Sequence, residues 1–147
     1  MANVNGANYA KSIGSGSGSS VDIVDPGVLG GKVRVLIDTY EAASLASGSS
    51  ILVGKILQAG ARIIDILLGF DALGASSTLA VGDQASSARY LDAADSSSAG
   101  IRSIVEEDNV NGMNYKVTGT TDNVIRIAMG GAAGTGTISI TIFYTED

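Results

Sequence analysis

Three groups of residues in this chain have types and spacings that chemistry could use. The first is glycine-rich: GGAAGTG at Gly130–Gly136, inside the run NVIRIAMGGAAGTGTISITIFY. Glycine loops cradle phosphates when they join a strand to the N-terminus of a helix, whose free N–H groups and dipole hold the anion. Here Ile125, Ile127 and Met129 alternate before the glycines, and Ile138, Ile140, Ile142 and Tyr144 alternate after them against Thr137, Ser139 and Thr141. Period two on both sides predicts two strands, so the glycines read as a hairpin connection and hold no anion. Gly31-Lys32 and Gly54-Lys55 also fail as phosphate loops, because an apolar residue follows each lysine where Ser or Thr is needed.

The second group is acidic, Glu106-Glu107-Asp108-Asn109-Val110-Asn111-Gly112. A calcium loop wants oxygen ligands at alternate positions ahead of its glycine, and Val110 breaks that pattern. A solvated turn, with Asn111-Gly112 supplying positive φ, is the stronger expectation, and a weak divalent-ion site the lesser one. The third group is the carboxylates Asp38, Asp65 and Asp71, on or beside expected strands. Glycoside hydrolysis needs two such groups face to face, usually beside aromatic platforms. The chain has no tryptophan and seven aromatics in all, which leaves few for a platform. Serines are abundant, yet no histidine exists to activate one, and Ser12 beside Lys11 lies in an arm that no scaffold orients. No catalytic residue, cofactor or metal is therefore expected, and the chain is not read as an enzyme.

Composition narrows the field in the same direction. With no cysteine, the 147 residues form neither disulfides nor thiolate sites. Fifteen acidic residues against nine basic ones leave a net charge of −6, which repels nucleic-acid phosphates and anionic lipid. Neither nucleic acid nor membrane is an expected partner. No run approaches the ~18 apolar residues of a membrane span, and the N-terminus lacks a signal-peptide pattern, so synthesis in a cytoplasm and use without a membrane are expected.

The elements that must position any site read as follows. Residues 1–30 form an arm: MANVNGANYAKSI, then GSGSGSS at Gly14–Ser20, a flexible coil spanning on the order of 15 Å. Two readings stand side by side, an idle tail and an adhesive arm whose Val4, Tyr9, Lys11 and Ile13 reach a neighbouring molecule. Residues 31–147 form the body. Lys32–Tyr40 alternates Val33, Val35 and Ile37 against Lys32, Arg34 and Asp38, a half-buried strand with Lys32 and Arg34 on its wet face. Glu41–Ser50 reads as a loop or short helical turn, and Ser50–Leu57 as a second strand. Ala61–Phe70 is a strand placing Ile64, Ile66, Leu68 and Phe70 on one face, and Ser77–Val81 another with Leu79 and Val81 inward. Gln84–Ser98 admits two readings, helical turns capped by Asp83 or an edge strand around Arg89-Tyr90-Leu91. Ile101–Val105 and Asn114–Thr118 are further strand candidates.

About eight strands spaced near 8–12 residues, without an amphipathic helix, predict an all-β fold. The expected form is an antiparallel β-sandwich of jelly-roll type, with a small antiparallel barrel as the alternative.

Three stretches carry a resemblance: GGKVRVLIDTYEA, ILVGKILQAGARIIDILLGFDALGASSTLAVGD and YKVTGTTDNVIRIAMGGAAGTGTISITIFYTED. Together they resemble the capsid decoration, or cement, proteins of tailed bacteriophages over roughly Gly30 to Asp147. The resemblance does not extend to the shorter lambda-type head decoration protein. It implies a virion structural protein on the capsid exterior, bound to the major capsid protein and to itself as a trimer or dimer, and it brings no catalytic residue. Other virion parts (tail, head-fibre or minor capsid protein) and a carbohydrate-binding jelly roll using Tyr90 or Tyr115 are the rival expectations.

Overall fold

The computed structural model describes residues 31–54, 57–107, 109 and 111–146. These contain eight strands and no helix: β1 Val33–Leu45, β2 Ser50–Leu52, β3 Arg62–Phe70, β4 Ser77–Gly82, β5 Leu91–Asp95, β6 Gly100–Ser103, β7 Arg126–Gly131 and β8 Gly134–Thr145. They build two antiparallel four-stranded sheets, ordered β1-β8-β3-β6 and β2-β7-β4-β5. Neither closes on itself, so the barrel alternative falls. Consecutive strands alternate between the sheets except for β4 and β5, which pair as neighbours, and β1 pairs with β8 at one edge, which is the jelly-roll topology.

β8 organises the first sheet. Its Ile138, Ile140, Ile142 and Tyr144 are all buried. Each buried isoleucine contributes roughly 1.5–3 kcal/mol, so this face goes inward and its neighbours follow. From β3, Ile63, Ile66, Leu68 and Phe70 join it; from the second sheet come Leu79, Val81, Ile127 and Met129.

That same pairing turns β1 over. In register, Leu36 opposes Ile142 and Asp38 opposes Ile140, so the even-numbered residues of β1 share the inward face of β8. Val33, Val35 and Ile37, expected to face the core, point outward instead. A strand's face is set by its neighbour's register, and a slip by one residue would bury threonines in place of isoleucines. β1 also runs on through Glu41–Leu45, where a loop was expected, and breaks pairing only at an irregularity between Ala42 and Leu45.

Other expectations are corrected more locally. GGAAGTG is no hairpin, because β7 lies in the second sheet and β8 in the first. The loop is an arch carrying the chain across the sandwich. It does turn a corner and no helix follows. Of the described residues in Ser50–Leu57, those in strand are Ser50–Leu52. A bulge between Ile63 and Asp65 makes Ile63 the buried residue in place of Ile64. In Gln84–Ser98 the strand wins, as the edge strand β5. Asp83 does cap, accepting the N–H groups of Ala85 and Ser86, but no helix follows. Ile101–Val105 is strand only as far as Ser103. Asn114–Thr118 makes one isolated bridge, Lys116 to Arg62, and no strand.

Candidate docking surface

The polar side chains are spent on holding loops. The Asp122 carboxylate accepts the Tyr115 hydroxyl at 2.8 Å, the Thr118 N–H and hydroxyl at 2.8 and 2.9 Å, and the Gly119 N–H at 2.9 Å. Burial alone would raise this carboxyl, but those donors outweigh it and hold it at about 2. Arg89 lies over the Tyr115 ring at 4.1 Å and pairs with the buried carboxylate of Asp83. Its hydrogen bond to Asp83 is the main cause that raises its pKa. Tyr90 is fully buried and meets Tyr115 edge-on, with centroids 6.2 Å apart; burial pushes its phenol up. A sugar ring has no access to Tyr90, and Arg89 covers Tyr115, so the expected carbohydrate platform is absent at these two tyrosines.

The acidic segment is likewise occupied. Glu107 pairs with Arg102, whose guanidinium also donates to the Leu79 and Asp92 carbonyls. The Asn109 amide donates to the Arg89 and Tyr90 carbonyls. Asp108 and Val110 lie outside the described residues, and among those described no three ligating side chains converge. The carboxylates offered for hydrolysis do backbone work: Asp38 accepts the Thr39 and Gly54 N–H groups, Asp65 that of Ile66, and Asp71 that of Thr137. A cleft between β1 and β2, lined by Asp38, Tyr40, Ile51 and Ile138, encloses about 110 Å³. That is below the ~300 Å³ at which ligand pockets begin, and the larger hollow of about 430 Å³ beside Phe70, Asp71, Ile101 and Ser139 is shallow and open to solvent.

The first sheet presents large apolar side chains outward. On the outer face of the first sheet, Val33, Val35 and Ile37 of β1 are 59%, 52% and 71% exposed, and Ile101 of β6 is 74% exposed. Register places the half-buried Phe143 beside Val35, and Leu67 and Thr141 in one row with Ile37. The strands of the second sheet contribute one such side chain, Leu52. The edges differ as much as the faces. β1 is an edge strand of 13 residues, whereas the other edges, β6, β2 and β5, have four, three and five. Among the described residues no strand pairs with the outer side of β1. Val4, Tyr9, Lys11 and Ile13, the partner-binding residues expected from sequence, lie outside the described residues. The β1 face was missed because alternation reports which residues share a side and not which side is wet.

No protein-family model matches the chain, and no curated protein matches it. Solved structures do. A chain of the Cyanophage Pam1 capsid asymmetric unit matches with a TM-score of 0.64 and 26% identity, over 80% of this chain and 86% of that one. This chain folds like a component of phage capsids. A chain of the Ralstonia phage GP4 capsid matches with a TM-score of 0.58 and 18% identity, over 80% of this chain and 86% of its own. A chain of the acid-stable capsid of Helicobacter pylori bacteriophage KHP30 matches at 0.50 and 13%, over 78% and 87%. At those identities the last two share the fold alone.

Proposed function

We propose that this chain is a virion structural protein that binds the outer surface of a phage capsid lattice and stabilises it. The likeness to the Cyanophage Pam1 capsid chain, spanning four-fifths of the molecule, carries this reading. The surface supports it: one sheet offers a broad apolar face with a long edge, and the polar clusters tie down loops. In this reading the partners are the major capsid protein and further copies of the chain itself, as a trimer or dimer. Residues 1–30 serve as an arm that contacts neighbouring subunits, and residues 31–147 as the docked body. Weak contacts repeated over a symmetric lattice sum to strong attachment, because each docked body makes its arm's contact effectively intramolecular.

The test is attachment to purified mature heads. The expected result is saturable binding at hundreds of copies per particle, with heads that survive higher temperature or chelator than bare ones. Absence of binding, or a handful of copies per virion, overturns the lattice role; the low copy number would indicate a tail or minor component.

A further inference from the structure

A long unpaired strand with apolar side chains is a template for another strand, and soluble proteins ordinarily shorten, charge or cover such edges. Among the described residues β1 is protected at one place. There Asp38 turns its carboxylate to the Thr39 N–H at 2.9 Å and the Gly54 N–H at 2.8 Å, closing the edge beyond Ile37. The stretch before it, Val33–Ile37, is open among the described residues, and alternation of antiparallel pairing directs half of its N–H and C=O groups away from β8.

The chain's own N-terminal sequence fits this edge in length and pattern. Tyr9, Lys11 and Ile13 sit two apart, so an extended Tyr9–Ile13 would carry them on one side. Added beside β1, that side could continue the outward face of Val33, Val35 and Ile37, with rings and branched chains in cross-strand pairs. Residues 1–20 contain Lys11 and no acid, whereas residues 31–147 hold eight basic residues against thirteen acidic, a formal −5. The 19 residues between Ile13 and Val33 span roughly 25 Å as coil and up to about 65 Å extended, enough to cross to an adjacent molecule. Val33 is both the residue where the arm enters the fold and the first member of the exposed stripe.

We propose that the outer edge of β1 over Val33–Ile37 takes up Tyr9–Ile13 of a neighbouring copy as an added strand. The inference rests on the proposed function for its neighbour and names the surface on which the arm acts. Backbone hydrogen bonds supply affinity in this mode, and the outward side chains supply register.

The chain has no cysteine, which makes the test clean. Full-length Val35→Cys is mixed, in turn, with mass-tagged Tyr9→Cys, Ala10→Cys, Lys11→Cys, Ser12→Cys and Ile13→Cys, free and on heads, then oxidised. Mixed disulfides are expected with period two, positions 9, 11 and 13 giving about tenfold more than 10 and 12. Equal yields along the segment, or none in either setting, overturn the proposal. So does a Lys11→Cys/Val35→Cys double variant that closes only on itself at high dilution. Heads that bind the protein without any arm disulfide would refute this contact and leave the proposed function standing. Arm disulfides between free copies, with heads ignored, would do the reverse.

Discussion

Asp122 is 2% exposed and ionised, an arrangement that survives only because four donors face it. Its folded pKa of about 2 lies below the ordinary 3.8, so its contribution is complete above about pH 4 and lost as pH falls towards 2. At ~1.4 kcal/mol per pKa unit this amounts to about 2 kcal/mol. Asp122→Asn should therefore lower urea-unfolding stability by about that amount at pH 7, and the gap to the parent should narrow at pH 2.5; a gap independent of pH would refute the account. The Tyr90 hydroxyl offers a contrast. It is buried with no partner among the described residues. Tyr90→Phe removes a group that folding strips of water for no return, so thermal stability should hold or rise, by up to ~1 kcal/mol. A large loss on this substitution would show that the hydroxyl is satisfied after all.

Among elements, the arch between β7 and β8 is the most demanding. A Cβ at Gly131 would stand 1.9 Å from the Ser76 carbonyl oxygen, and its φ is +66°. Gly131→Ala should cost more than ~2 kcal/mol, since backbone must move. Gly48, at φ +85° with nothing within 4 Å, should cost only about 1 kcal/mol on the same change. Paired denaturation curves of the two variants test this, and similar losses would mean that the arch is adaptable. β8 and β4 were legible in sequence because their large apolar residues alternate with smaller or polar ones, and Ile138, Ile140, Ile142 and Tyr144 of β8 and Leu79 and Val81 of β4 are buried as expected. β1 was not: valines and an isoleucine line one side, Leu36 and Ala42 the other, and only the neighbouring strand's register decides between them. The arch was misjudged for a similar reason. Two alternating strands joined by glycines look alike whether they pair with each other or lie in opposite sheets, and local residues do not encode the difference. The polar clusters were invisible for want of any local signal, because Tyr115 and Asp122 bond across a loop and Arg89 meets Asp83 after the chain has doubled back.

For the whole molecule, the exposed face makes stability and attachment separable. Val35→Lys and Ile37→Lys place charge on residues already more than half in water, so melting temperature should move by no more than a few degrees while head attachment falls at least tenfold. Deleting residues 1–20 should likewise weaken attachment and leave the body folded. Unchanged affinity in either case would dissociate the face or the arm from docking. Among the described strands, β1 lies against β8, seven strands further along the chain, and β8 also separates β1 from β3. A nascent chain therefore cannot complete this sheet until β8 clears the ribosome, since its middle strand is still missing. Until β8 is made, nothing fixes which side of β1 faces water, so a chain that stops short of β8 does not present the stripe of Val33, Val35 and Ile37.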